Sequence, residues 1–205
     1  MQRKSPAATI RGKRVCVGRD VYRPSDDTEL LAQFVPHYAK GYALDMGTGC
    51  GIQAILAAGK AAKVLAVDIN PFALECAKVN AKLNNAFSKI EFRLSDLFSA
   101  IPRSEKFDLI IFNPPYLPTS PSEAASGPID AAWNGGRTGR KVISRFLRSF
   151  ATHLKPRGAL LMLHADLADT EKTVKVLESK GFRVRKITEI KAGNETLSVL
   201  LALRR

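Results

Sequence analysis

Strand-length apolar runs alternate with helix-length segments along this chain, and four successive runs each have a polar residue at or just past their C-terminal end. Such alternation implies a mainly parallel α/β sheet with helices on both faces, and ligands bind beyond the carboxyl ends of strands in sheets of that kind. Residues 42–46 carry Asp45 and run into Gly47-Thr48-Gly49-Cys50-Gly51, with a helix expected from Ile52. Residues 63–68 end in Asp68. Residues 89–94 alternate charged and apolar side chains, as a half-buried or edge strand does, and lead to Ser95-Asp96-Leu97. Residues 107–112 lead to Asn113-Pro114-Pro115-Tyr116. One rim of the sheet therefore gathers Asp45 and Gly47, Asp68, Asp96 and Asn113.

The other segments fill in the same frame. Residues 14–17 read as a short strand, and a helix starts at Pro24-Ser25-Asp26-Asp27-Thr28, with Ser25 as its cap and the carboxylates at its positive end. Asn70 caps a helix with Pro71 in its first turn, whose buried stripe is expected to be Phe72, Cys76, Val79 and Leu83. Residues 117–139 are rich in Pro, Ser and Gly and long enough for a binding loop or lid. A helix carrying Val142, Phe146, Leu147, Phe150 and Leu154 is expected to stop at Pro156 and Gly158. A strand over 158–164, a helix over 169–180 and an antiparallel pair over 182–190 and 196–203 complete the chain. At 205 residues a single domain is expected, with residues 1–20 as an N-terminal extension.

The prolines of Asn113-Pro114-Pro115-Tyr116 fix φ and remove two backbone donors, so the segment is a stiff bend that shows carbonyls. The Asn113 side-chain oxygen and the Pro114 carbonyl can both accept from one NH2 group, and Tyr116 offers a flat wall. Alternate glycines at 47, 49 and 51 let backbone N–H groups approach a ligand at a helix start. The dinucleotide fingerprint needs Gly or Ala where Ile52 stands, and the Gly-rich segment 135–141 has the wrong spacing for a phosphate loop. The remaining candidate cofactor is S-adenosylmethionine. Asp68 would accept from its ribose hydroxyls and Asp96 from its adenine amino group, with Leu97 beside the ring. Asp45 and Gly47 would hold the methionine end. Each Asp also has a plainer role as a helix cap.

Lys plus Arg number 32 against 19 Asp plus Glu, a net +13 that suits an acidic or nucleic-acid-associated partner, or a solvated basic surface. Arg3, Lys4, Arg11, Lys13 and Arg14, with Arg204 and Arg205, concentrate charge at the ends, and the rest is scattered, so no single binding stripe is legible. Three widely spaced cysteines without a CxxC pair argue against a disulfide framework or zinc site and fit a reducing, cytoplasmic setting. No apolar run reaches membrane-spanning length, and no apolar stretch follows the basic N-terminus as in a signal peptide. His37, His153 and His164 show no partnering pattern and read as structural.

Residues 45–51 together with 113–116 resemble a class I S-adenosylmethionine-dependent methyltransferase that modifies amino groups. With Pro24-Ser25-Asp26-Asp27-Thr28, the segment 130–140 and Glu195-Thr196-Leu197-Ser198-Val199-Leu200, the resemblance narrows to the archaeal and eukaryotic HemK-like glutamine methyltransferases. It runs from about Val21 onward. It implies a Rossmann-like, seven-stranded sheet with an antiparallel C-terminal strand. It implies a cofactor held by Thr28, Asp45, Gly47, Gly49, Asp68, Asp96, Leu97 and Asn113, and a glutamine held by Asn113, Pro114, Pro115 and Tyr116. The substrate it implies is the Gly-Gly-Gln loop of a class I peptide-release factor. Family members often pair with a small zinc-binding activator subunit, for which the alternating strand Ile90, Phe92, Leu94 is a candidate edge. The helical N-terminal domain of bacterial relatives is not expected here. Two alternatives stay open: an adenine-N6 or guanine-N2 methyltransferase acting on RNA or DNA, which shares the Asn-Pro-Pro-Tyr motif, and a non-catalytic cofactor-binding module.

Overall fold

The computed structural model describes residues 8–120, 122 and 127–204. The basic residues Arg3, Lys4 and Arg205, and part of the 117–139 loop, lie outside them. The first strands, β1 (Ala8–Ile10) and β2 (Lys13–Val15), form an antiparallel hairpin where a single strand over 14–17 is expected. Its two-residue turn places Arg11 and Gly12 at φ 48° and 75°, the left-handed pair that tight hairpins require.

Short helices α1 (Asp26–Ala32) and α2 (Val35–Tyr38) precede β3 (Tyr42–Met46), α3 (Ile52–Ala58), β4 (Lys63–Asp68), α4 (Pro71–Leu83), β5 (Ile90–Leu94) and β6 (Phe107–Phe112). After the long loop come α5 (Lys141–Ser149), β7 (Leu154–Ala165), α6 (Thr170–Ser179), β8 (Phe182–Ala192) and β9 (Glu195–Arg204). Seven strands pair in the order β5-β4-β3-β6-β7-β9-β8, all parallel except β9, which runs against both neighbours. The chain steps outward from β3 to β5, then returns to place β6 on the other side of β3. The tips of β3 and β6 thus form the switch point, where a crevice opens without special sequence. The inner strands are continuous hydrophobes because helices cover both faces: Leu109, Ile110 and Ile111 of β6 are fully buried.

Three expectations are corrected. In α4, Phe72 and Val79 are more than half exposed and Leu83 is 38% exposed, while Ala73, Leu74, Ala77, Asn80 and Ala81 face inward. Small residues four apart let this helix lie close to the glycine loop; a Cβ on Gly51 would sit 2.8 Å from the Ala77 Cβ. The fully buried Asn80 offsets its desolvation by donating to the Cys16 and Cys50 carbonyls at 2.8 and 2.9 Å and accepting from Cys16 N–H at 2.9 Å. The seam is small and polar, so hydrophobicity points to the wrong side of the helix. Second, β7 starts at Leu154, four residues before the expected strand. Pro156 sits where the register against β6 slips between Phe107 and Leu109, so no ladder donor is demanded of it. The helix before it ends at Ser149, continuing as a 3-10 turn to His153. Third, Ser25 stands at the N-cap of α1 but makes no capping bond. The Thr28 N–H there is instead taken by the Asp27 carboxylate.

Two of the three histidines, His164 and His153, are structural in position, and His37 is exposed. His164 is fully buried and bonded to Thr173 Oγ1 at 2.8 Å, with its pKa pushed down to about 4 by burial. His153 stacks on Phe98.

Candidate active site

At the tips of β3, β4, β5 and β6 lies a cavity of about 490 Å³. All the residues singled out by sequence line it: Thr28, Asp45, Gly47, Gly49, Asp68, Asp96, Leu97, and Asn113 through Tyr116. Gly47 and Gly49 take φ of 65° and 55°, and a Cβ on Gly49 would meet nothing within 4 Å. The loop's backbone is therefore bare toward open space, the condition for a ligand to come close.

The two carboxylates nearest the glycines are fastened by their own loops. Asp45 accepts from Thr48 Oγ1 at 2.6 Å and Ala54 N–H at 3.0 Å, and burial pushes its pKa up to about 7. Asp68 accepts from Gly49 N–H and Asn70 N–H, both at 2.9 Å, and burial raises its pKa also. Asn70 then caps α4 through Phe72 N–H at 2.9 Å. Asp96 is half exposed and paired with Arg145 at 2.7 Å. Leu97 beside it takes φ 51°, held by Ser95 Oγ donating to its carbonyl at 2.7 Å. A branched aliphatic residue in left-handed backbone is a local strain that fixes one wall of the cavity.

A second set of contacts, absent from the sequence reading, surrounds Asn113. Its Nδ2 donates to Asp27 Oδ2 at 3.0 Å, and its Oδ1 is buried with no partner among the described residues. Tyr22 Oη donates to the same Asp27 oxygen at 3.1 Å. Tyr116 Oη donates to Glu195 Oε1 at 3.3 Å, and the raised pKa of Glu195 comes from burial and then from repulsion by Asp27. Burial also raises the Tyr22 and Tyr116 hydroxyls. Gln53 repeats the pattern of Asn113. Its Nε2 is committed to the Thr28 carbonyl at 2.9 Å, and its Oε1 is a buried acceptor without partner among the described residues. In sequence Asp27 stands in the acidic first turn of α1, where helix-end electrostatics already account for it, and within the segment that carries the resemblance, with no role attached.

The long loop is tied at its base. Leu117 N–H donates to the Trp133 carbonyl at 3.1 Å, Gly135 N–H to the Leu117 carbonyl at 2.9 Å, and Thr119 N–H to the Gly136 carbonyl at 3.0 Å. The glycines that gave segment 135–141 its phosphate-loop flavour serve close packing. A Cβ on Gly139 would come within 2.2 Å of the Tyr116 carbonyl oxygen, and one on Gly135 within 2.6 Å of Gly139.

Residues 23–126, half of the chain, match the family model described as methyltransferase small domain. The chain belongs to that family. It is 38% identical to the Methanocaldococcus jannaschii protein named "Putative protein N5-glutamine methyltransferase", over 95% of this chain and 98% of that one. Methyltransferase HEMK2 of Homo sapiens is 38% identical over 88% of each chain. The release factor glutamine methyltransferase of Koribacter versatilis is 37% identical over 77% of this chain and 61% of its own. Among solved structures, the E. cuniculi Mtq2-Trm112 complex, described as methylating the eRF1 translation termination factor, superposes with a TM-score of 0.68. It covers 91% of this chain and 99% of that one, at 23% identity. The fold is that of class I methyltransferases and the chain is a methyltransferase. Among the described residues no helix is long and apolar enough to cross a membrane.

Proposed function

We propose that this methyltransferase moves a methyl group from S-adenosylmethionine to the side-chain amide nitrogen of a glutamine, that of the Gly-Gly-Gln loop of a class I peptide-release factor. The observation that carries the reading is the buried, unpartnered Asn113 Oδ1 at the cavity wall. A buried acceptor left unmatched is costly, and an NH2 donor would satisfy it. The relatives named as glutamine methyltransferases supply the substrate class.

The cavity suits the cofactor on its own chemistry. Asp68 presents carboxylate oxygens for ribose hydroxyls, Asp96 and Leu97 flank space for a base, and the bare Gly47–Gly49 backbone borders room for the amino-acid end. Asp45 lies at that end, and Gln53 Oε1 adds an acceptor to the same cavity. When bound, the cofactor supplies a methyl group on a positively charged sulfur, open to in-line attack. The chain's part is placement. An amide nitrogen is a poor nucleophile because its lone pair is delocalised into the carbonyl. Asn113 Oδ1 and the Pro114 carbonyl would accept its two hydrogens and fix the direction of that lone pair, while the Pro115 and Tyr116 wall holds the amide plane. On transfer the electron pair of the broken S–C bond would stay on sulfur, and the nitrogen would shed one of its hydrogens as a proton. Orientation and preorganised dipoles of this kind supply several kcal/mol, on the order of the ~3–4 kcal/mol that one oxyanion-hole donor contributes.

The edge of the sheet supports an assembly partner, a small zinc-binding activator subunit. β5 is the terminal strand, with Ile90 buried, Phe92 half-buried and Leu94 55% exposed, and Phe87 41% exposed beside it. An open edge with apolar side chains invites strand addition. A monodisperse, active chain purified alone would count against the partner.

The deciding experiment is transfer of labelled methyl to purified release factor, tRNA, rRNA and DNA in parallel, with mass spectrometry of the labelled peptide. Label on the Gly-Gly-Gln glutamine is expected. Label only in nucleic acid would overturn the reading in favour of a base methyltransferase.

A further inference from the structure

Asn113 is useful as an acceptor only if its amide never turns over, and nothing in its own motif prevents that. The two ends of a carboxamide are nearly the same size, so packing does not separate them; hydrogen bonding must. The tie comes from 86 residues away in the chain, where Asp27 receives Asn113 Nδ2 at 3.0 Å. Asp27 is 4% exposed and takes donors on both oxygens: Tyr22 Oη and Asn113 Nδ2 on one, the Thr28 N–H and Thr28 Oγ1 on the other. A carboxylate so surrounded has no hydrogen to give. Turned over, Asn113 would set its oxygen against the Asp27 oxygen and point two N–H bonds at the incoming amide, repelling it on both sides.

We propose that Asp27 is a positioning residue for methyl transfer: it commits the Asn113 carboxamide to one orientation, leaving Oδ1 to the substrate. The proposal rests on the function given above for Asn113. Tyr22 and Thr28 are the braces of Asp27, holding its carboxylate against Asn113 Nδ2. Gln53 is oriented from the same turn of α1 by the Thr28 carbonyl, a main-chain group that no substitution removes. The first turn of α1 therefore sets two cavity amides at once, one by a side chain open to mutation and one by backbone.

The test exchanges the two partners. Asp27→Asn is expected to lower kcat by about 30-fold or more, with KM for release factor and calorimetric cofactor affinity within about threefold, because one committed hydrogen bond to a charged group is lost. Asn113→Asp sets two carboxylates face to face and should be at least as damaging. The double variant Asp27→Asn/Asn113→Asp restores one donor and one acceptor in reversed order, and kcat should rise about tenfold or more above the worse single variant. A structural role alone gives no such rescue. Asp27→Asn with kcat within threefold of wild type, or a double variant no better than the worse single, overturns the proposal. A second readout needs neither turnover nor a variant that folds. The Asn113 side-chain NH2, assigned by nitrogen-15 NMR, should exchange slowly with solvent in the wild-type chain, and fast exchange there overturns the clamp. A wild-type chain inactive on release factor would overturn the substrate reading alone, with the clamp then decided by this exchange rate.

Discussion

The cofactor rim and the acceptor corner share one cavity but are built in opposite ways. On the rim, Asp45 and Asp68 are fastened within about twenty residues, by Thr48 and Ala54 and by Gly49 and Asn70. At the corner, Asn113 is fastened to Asp27 and Tyr116 to Glu195, across 86 and 79 residues. The rim is local grammar: a strand, its terminal carboxylate, and the turn that satisfies it. The corner exists only once α1, the tip of β6 and the β8–β9 turn have come together. On the proposed reading, binding a cofactor is a property of neighbouring strand–turn–helix units, whereas aiming an amide nitrogen is a property of the whole fold.

The largest effect that could break this division is at the corner. Asn113→Ala should cost at least about 100-fold in kcat, on the scale of a lost oxyanion-hole contact, with cofactor affinity within a few-fold by calorimetry. Turnover near wild type would mean the corner does no aiming. On the rim, Asp68→Ala should weaken cofactor binding by about 10- to 100-fold, as expected for hydrogen bonds to a charged group. Calorimetry showing unchanged affinity would remove Asp68 from the cofactor's reach.

Asp45 sharpens the rim through pH. Burial holds its pKa near 7 in the free chain, so below that value the carboxyl is protonated. A cationic ammonium beside it favours the ionised form, so binding must expel a proton in acid. Cofactor affinity is then expected to rise by up to about tenfold per pH unit between pH 5 and 7 and to level off above. A flat profile would place the ammonium elsewhere. The sign for folding is opposite. A carboxyl raised from 3.8 to about 7 stabilises the fold fully below 3.8, and that contribution is lost as pH climbs through 7. The smallest effect belongs to the rim's long-range contact, Asp96–Arg145, whose side chains are each 41% exposed. Arg145→Ala should change stability by less than about 1 kcal/mol in denaturant unfolding. A larger loss would show that the rim, too, depends on distant parts of the chain.

Legibility in the sequence follows the same line. Alternating runs disclosed the parallel sheet and its rim, because each strand carries its own ending. The closing antiparallel pair shows in the same way, and the family resemblance adds Thr28 to the cavity and narrows the substrate. What stayed hidden was set by packing between segments. The stripe of α4 misleads in sequence because its seam is mostly alanine and a satisfied asparagine around Leu74, with Cys76 alone of the expected residues packed against the core. Pro156 was taken as a stop because a slip in register, which a single sequence does not display, makes room for it. Asp27 and Tyr22 were passed over because a carboxylate at a helix start already has a sufficient explanation in the helix itself.

Gly139 meets the Tyr116 carbonyl at a spacing that leaves no room for even a methyl group. The C-terminal foot of the strap and the aromatic wall of the cavity therefore press directly on each other at that point. A side chain introduced at Gly139 would thus be felt at the cavity wall, through the Tyr116 backbone.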